Sequence, residues 1–445
     1  MNKRKEAIAI FLSGVNSVKP DNLVKRFVRL NGNILTFSDR SFDVRLIENI
    51  YVVGAGKASA RMAHAIESIL GTRVADGHII AKYHHSIPLQ FISITEAGHP
   101  VPDENGIGGT RKILSLLNNT GKDDLVICLL SGGGSALLAD VPEDCTLEDV
   151  KSVNHILLKS GANIGEMNCI RKHLSAVKGG MLAKTASPAT IVSLILSDVI
   201  GDPLDVIASG PTAPDPSTFG DALAILKKYS IEEQIPQNIR KFLQDGQEGK
   251  HPETLKEEDE ILDHTYNLVI GNNQLALRTA KEKAETCGYD TQIVTDTLDG
   301  DVEEVARYIA DLAVRTKQAN PHQNSCVLFG GEPTVKVTGK GLGGRNQHLA
   351  LLMAKALQDY PGITFLSGGT DGSDGPTDAA GAVVDSFTQV NAQKYNLDID
   401  KYIENQDSYH FFSQEGGLII TGPTQTNVMD IMVVLIHSGC PEPRQ

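Results

Sequence analysis

Residues 47–70 read IENIYVVGAGKASARMAHAIESIL, and they decide the fold. The run IYVV is rich in β-branched and aromatic residues and stops at Gly54-Ala55-Gly56. From Ser59 onward the apolar residues recur at helical spacing. This is strand, glycine turn, helix. The pattern returns in DDLVICLLSGGGSALLAD (123–140), and the runs GHIIAKY (77–83), LQFISITEAGHP (89–100) and ATIVSLILSD (189–198) read as further strands. Strands separated by helical segments imply a parallel sheet built from βαβ units. A second series follows in YNLVIG (266–271), TQIVTD (291–296), SCVLFGGEP (325–333), GITFLSGG (362–369) and the segment 416–436. The expectation is therefore an α/β protein with a Rossmann-like parallel-sheet domain over 1–243 and a second α/β domain with a mixed sheet over 264–445. The polar stretch 244–263, QDGQEGKHPETLKEEDEILD, is expected to be a linker or excursion. Ligands of open parallel sheets sit beyond the carboxyl ends of the strands, so the active site is expected in a cleft between the domains.

The 445 residues suffice for two or three domains. The formal net charge of −14 argues against a general nucleic-acid or anionic-membrane binder, which would show a basic face. Six cysteines, including Cys440, are scattered without a CxxC pair, so no zinc or disulfide framework is expected and a reducing cytoplasm is the natural compartment. The segment Ala7–Val15 after Lys3-Arg4-Lys5 mimics a signal peptide. Its Ser13 and Gly14, and the spacing of Ile8, Leu12 and Val15, favour an amphipathic helix. No apolar run approaches the ~20 residues of a membrane span.

The chemistry-bearing residues lie at strand ends. Gly54, Gly56 and Lys57 resemble the start of a dinucleotide fingerprint, with Ser59 in place of its third glycine and Asp76 near the distance of a ribose-binding acid. Lys57 at a helix start opposes the helix dipole, which favours a role in neutralising a phosphate or carboxylate. Ser131, Gly132, Gly133, Gly134 and Ser135 make a plausible phosphate cradle, or simply a tight strand–helix turn. Asp198 ends a strand and suits a Mg²⁺ ligand, a base for a substrate hydroxyl, or a helix cap. Gly331 and Glu332 end another strand and are expected to contact nucleotide or phosphate, and Arg345 in GKGLGGRNQ offers a bidentate fork for carboxylate or phosphate. The loop TFLSGGTDGSDGPTDAAG (364–381) carries Asp371, Asp374 and Asp378 among five glycines. Carboxylates repel phosphate, so they read as metal or hydroxyl partners. His99 is placed to transfer a proton, but a structural loop anchored by Pro100 and Pro102 fits better. The pair His84-His85 reads as unremarkable.

Taken together, VVGAGKAS, EAGHPVPDENG, LLSGGGSALL, NCIRKHLSAVKGG, SDVIGDPLDVIASGPT, GGEPTV, GKGLGGRNQ, SGGTDGSDGPTDAAG and TGPTQTN resemble the type-2 glycerate kinase family, with its N-terminal Rossmann-like domain and C-terminal MOFRL domain. They run in order along nearly the whole chain. The resemblance implies ATP-dependent phosphorylation of D-glycerate, usually to 2-phosphoglycerate, with Mg²⁺ or a similar divalent ion. It implies that the family's functional lysine and arginine are Lys57 and Arg345. Asp198 and Asp371 are expected to hold the metal or orient the hydroxyl. Two other classes fit parts of the pattern: a nicotinamide-dependent hydroxypyruvate reductase using Gly54–Ser59 and Asp76, and a non-catalytic small-molecule binding protein.

Overall fold

The computed structural model describes residues 3–438, which leaves Cys440 outside the described residues. The chain folds into two compact units, Leu23–Ile270, and Met1–Asn22 together with Gly271–Gln445.

The Leu23–Ile270 unit begins with a small antiparallel sheet of β1 (Val28–Asn31), β2 (Ile34–Phe37) and β3 (Arg40–Asp43). Its main sheet contains β4 (Ile50–Ala55), β5 (Val74–Lys82), β6 (Ser93–Ala97), β7 (Leu125–Leu130), β8 (Thr190–Leu196) and β9 (Thr265–Gly271). Their order is β6-β5-β4-β7-β8-β9, with β6 through β8 mutually parallel. This is the doubly wound arrangement in which strand order reverses between β4 and β7 and opens a crevice at their carboxyl ends. Every residue of β7 is buried, as expected for a strand covered on both faces, and this is why LVICLL shows no polar alternation. Val53, Ala55, Val126, Leu130, Ile191 and Ile195 form its core with Ile113, Leu117 and Leu182 from the flanking helices. Cys128 lies in this core, where burial pushes its thiol up to about 12, so it behaves as a small hydrophobe.

The segment 244–263 is built into this unit. It starts as the end of the helix Gln237–Gln247, and Leu255 within it is fully buried. The Leu255 amide donates to the Gly179 carbonyl at 2.9 Å, and the Asp215 amide donates to the Leu255 carbonyl at 2.8 Å. One apolar anchor in a charged stretch holds the segment down. Likewise YNLVIG, placed by the sequence reading in the second series, is the edge strand β9 of the first sheet.

The other unit has the strands β10 (Asp290–Leu298), β11 (Ser325–Gly331), β12 (Ile363–Gly369), β13 (Gly381–Val384), β14 (Leu418–Ile419) and β15 (Asp430–Ile436). Their order is β10-β11-β15-β12-β13-β14. Only the β10–β11 pair is parallel, so the sheet is mixed, as expected. Phe329, Phe365, Phe411, Phe412, Leu349 and Met353 fill its core.

The first helix, Lys3–Ser17, packs on the helix Asn273–Thr286 and on β12 and β15. Its buried face is Ala7, Ile10, Phe11, Gly14 and Val15; Ile8 and Leu12, expected to lead that face, are half-buried. Arg4 fixes the helix through ion pairs of 2.8 Å to Asp385 and to the buried Glu415. Gly14 sets the close approach, because a Cβ there would stand 2.9 Å from the Ala276 carbonyl oxygen. Gly14→Ala is therefore expected to destabilise this unit by about 1–3 kcal/mol. Urea unfolding followed by near-UV signals of its tyrosines would show it, and an unchanged midpoint would contradict the packing.

Candidate active site

In the Leu23–Ile270 unit, the loops after β4 and β7 meet at the switch point. The Lys57 amide donates to the Gly132 carbonyl at 3.0 Å, and the Ala58 amide donates to Ser131 Oγ at 3.0 Å. The loops are so close that a Cβ on Gly56, which has φ +144°, would lie 2.0 Å from Ser131 Oγ. Ser59 is wholly buried and donates to the Leu129 carbonyl at 3.1 Å. The hydroxyls of Ser131 and Ser59, read from sequence as part of a ligand loop, thus tie β4 to β7.

The turn itself keeps donors in reserve. Among the described residues, the amides of Gly132, Gly133 and Ser135 donate to no protein acceptor, while that of Gly134 donates to the Ser131 carbonyl at 3.1 Å. Three spare amides in one tight turn make a concave anion site. Ala208 and Ser209 stand behind it in left-handed conformation, at φ 51° and 61°. Such strain in non-glycine residues persists only where packing over-determines it. Ser209 Oγ is 2.9 Å from Ser135 Oγ, and a Cβ on Gly134 would lie 2.7 Å from that of Ala208.

Three side chains surround the turn. Lys57 is half-buried and makes no ion pair among the described residues, so its charge is available to a ligand. Asp198, at the end of β8, presses on Gly132 so closely that a Cβ there would lie 2.0 Å from Asp198 Oδ2. His99 lies against Gly133, where a Cβ would come within 2.9 Å of its ring and 3.5 Å of Lys57 Cγ. Burial, with the charge of Lys57 adding to it, lowers the His99 imidazole to about 4, so the ring is neutral near pH 7. His85 supports the lysine turn, its Nδ1–H donating to the Lys57 carbonyl at 3.2 Å. Sequence alone favours an anchored loop for His99 and gives His85 no role; only the folding of the loops after β5 and β6 onto the β4 turn gives them a place.

Asp76 does not reach this site. It pairs with Tyr51 near the start of β4, whereas Ala55 pairs with Ile80. It therefore sits near the amino end of the sheet, roughly 13 Å of strand from the turn at ~3.3 Å per residue. Its Oδ1 accepts the neighbouring Gly77 amide at 2.7 Å. Chain distance matched the fingerprint, but strand register removes the ribose ligand.

In the other unit, Arg345 opens the helix Arg345–Ala356 and its fork is filled. Nε donates to Asp430 Oδ2 at 2.6 Å and Nη2 to Oδ1 at 3.1 Å. Nη1 pairs with Glu332 at 2.9 Å. Asp430 is buried and Glu332 about half exposed. The carboxylates hold the guanidinium charge firmly in place and raise its pKa despite burial. Asp430 went unread in the sequence; the signal was a lone acid at the head of the apolar run IMVVLI. Gly331, expected to bind phosphate, lies against β10, where a Cβ would stand 2.0 Å from the Leu298 carbonyl.

The three aspartates of the 364–381 loop have different positions. Asp374 is buried and caps the helix Arg345–Ala356, accepting the amides of Asn346 at 3.0 Å and Gln347 at 2.8 Å. Burial raises its carboxyl to about 6, against the pull of those amides. Asp378 is exposed and accepts from the Tyr409 hydroxyl at 2.8 Å. Asp371 is half-buried and accepts the Ser373 amide at 3.0 Å. Asp371 and Asp430 both approach Gly369, at 3.3 and 3.5 Å from where a Cβ would be. No group of three metal-ligating side chains occurs among the described residues. Mg²⁺ in phosphoryl-transfer sites takes one or two carboxylates plus substrate phosphates, a donor set that Asp198 beside the spare amides fits.

A family model described as a domain of unknown function, DUF4147, matches residues 6–244, and the MOFRL family matches residues 325–430. A curated relative, the D-glycerate 2-kinase of Thermotoga maritima, is 41% identical over 437 residues, covering 97% of this chain and 98% of the relative. A protein named putative hydroxypyruvate reductase from Agrobacterium vitis is 42% identical over 389 residues, 86% of each chain. The crystal structure of a glycerate kinase from Thermotoga maritima superposes with a TM-score of 0.86 at 41% identity, over 98% of this chain and 99% of the other. With both domain signatures in order and relatives matched over nearly its full length, the chain belongs to the type-2 glycerate kinase family.

Proposed function

We propose that this protein transfers the γ-phosphoryl group of ATP to the 2-hydroxyl of D-glycerate, giving 2-phosphoglycerate and ADP. The observation that carries the reading is the switch-point turn. Three unused amides at 132–135 lie beside an unpaired lysine, Lys57. That arrangement suits a polyphosphate, whose transfer requires positioned cations and dipoles more than covalent chemistry.

In this reaction the substrate hydroxyl oxygen bonds to the γ-phosphorus as the bond from phosphorus to the β–γ bridging oxygen breaks. ADP leaves with that electron pair. Lys57 and the turn amides compensate charge on the phosphoryl oxygens. Neutral His99 beside the turn is placed to accept the hydroxyl proton. Asp198 and Asp371 are the carboxylates assigned to Mg²⁺ or to orienting the hydroxyl. Mg²⁺, when bound, neutralises phosphate charge. We assign Arg345 to the same reaction. Its pair with exposed Glu332 is worth about 0–1 kcal/mol, so an anionic ligand can replace Glu332 on Nη1 while buried Asp430 keeps the guanidinium oriented. Dependence on ATP and the lack of a membrane-crossing helix among the described residues suit a cytoplasmic enzyme. A reductase reading has lost its ribose acid, since Asp76 lies toward the amino end of the sheet.

Incubation with ATP, Mg²⁺ and D-glycerate, followed by separation of the phosphoglycerates, is expected to yield the 2-isomer. The 3-isomer, or no product, would overturn the assignment. Lys57→Ala and Arg345→Ala are each expected to lower kcat/KM roughly a hundredfold to a thousandfold, and near-native turnover in both would remove them from the site. In an NMR titration, His99 is expected to stay neutral down to about pH 4. The unfolded chain takes up that proton nearer its ordinary 6.5, so this histidine's share of stability is full above 6.5 and lost as pH falls toward 4. An inflection near 6.5 in the folded protein would contradict the half-buried, lysine-facing ring.

A further inference from the structure

A cavity of about 130 Å³ opens beside the anion turn, lined in part by Ser135, Pro100, Asp140, Arg171, Lys178 and Leu174. The volume suits a molecule of a few heavy atoms and falls well below the ~300 Å³ of ordinary drug-sized sites. Ser135 follows the three glycines and Pro100 follows His99, so the cavity adjoins both groups assigned to the reaction. Leu147, Val150 and Val153 make one wall apolar.

Its charges do not cancel. Lys178 is buried and donates to the Leu138 carbonyl at 2.7 Å, with Asp140 at 3.5 Å. Asp140 also accepts from the Ser175 hydroxyl at 2.6 Å and from the Ala176 amide. That carboxylate is committed. Arg171, in the last turn of the helix Ile164–His173, donates from Nε to Asn154 Oδ1 at 2.7 Å and pairs with no carboxylate among the described residues. Burial lowers its pKa, and its charge also lowers that of Lys178. A half-buried guanidinium held by a neutral amide, with the nearby acid already spent, lacks a counter-charge. Its planar fork matches a carboxylate.

We propose that this cavity is the acceptor subsite, and that Arg171 binds the carboxylate of a small 2-hydroxy acid. The inference rests on the glycerate reading and adds to it the group that recognises the acid. A carboxylate on Arg171 directs the hydroxyl-bearing carbons toward Ser135 and the turn. Asn154 orients the guanidinium. Arg171 is the specificity-determining residue, because an alcohol lacking the carboxylate leaves the half-buried charge unmatched.

The test compares wild type, Arg171→Met and Arg171→Lys with D-glycerate and with glycerol as acceptors, and measures ADP binding by calorimetry. Arg171→Met is expected to raise the KM for D-glycerate roughly tenfold to a hundredfold, the loss of a charged hydrogen-bond pair. ADP affinity should stay within about twofold, and the preference for glycerate over glycerol should collapse. Arg171→Lys should recover part of the loss, by charge without the fork. Val150→Phe, which fills the cavity and leaves Arg171 in place, should raise the same KM even if Arg171→Met fails to fold. An unchanged glycerate KM in the folded variants, or an equal loss of ADP affinity, which would mark a nucleotide pocket, overturns the proposal. If wild type shows no turnover with D-glycerate, the functional reading fails by itself. Calorimetry with D-glycerate alone then decides the subsite, which stands if wild type binds and Arg171→Met does not, and falls otherwise.

Discussion

The first unit depends on the contact of two strand-end loops across the β4–β7 switch point. Ser131 and Ser59 tie the loops together, and a Cβ on Gly54 or Gly56 would be driven into β7 and its following serine. Everything at the candidate site is placed by that contact. It leaves the amides of Gly132, Gly133 and Ser135 without a protein acceptor, brings the Lys57 stem beside His99, and leaves Asp198 pressed on Gly132. A loop held this tightly presents its amides without reordering when a ligand arrives, and such preorganisation is where enzymes gain most from fixed dipoles.

Charge is handled oppositely in the two units. Around the turn, Lys57 and Arg171 have no carboxylate partner among the described residues, and the neutral His99 adds no charge of its own. The carboxylates nearby, Asp198 at Gly132 and Asp140 at Lys178, pair with neither cation. In the second unit Arg345 is matched by Asp430 and Glu332, with Asp371 near Asp430. The first unit leaves two cations without a carboxylate partner among the described residues. The second holds one cation between two carboxylates, one buried and one about half exposed.

The fold was legible because its signals are local. IYVVGAGKASARMAHAIESIL carries strand, turn and helix within one window, and LVICLLSGGGSALL repeats it. The errors came from long-range pairing. β9 resembles the strands that follow it and yet hydrogen-bonds into the sheet before it. Leu255 is one apolar residue in a polar run, and its burial depends on Gly179 and Asp215, far away in sequence. Asp76 had the spacing of a ribose ligand, but register puts it toward the wrong end of its strand. Site residues followed the same division. Lys57 and Gly132–Gly134 stand out in any glycine-rich loop. The position of Asp430 at Arg345, the lack of an acid at Arg171, and the choice of Asp374 as a buried helix cap become visible only when separate loops are brought together.

The proposed reaction stands on two placements, phosphate on the turn at 132–135 and the acid's carboxylate in the Arg171 cavity beside it. A crystal structure with a non-hydrolysable ATP analogue, Mg²⁺ and D-glycerate tests it most directly. Phosphate oxygens on the amides of Gly132, Gly133 and Ser135, with the glycerate carboxylate on Arg171, are the expected result. Phosphates bound instead on the 369–375 loop, or a nucleobase occupying the Arg171 cavity, would contradict it.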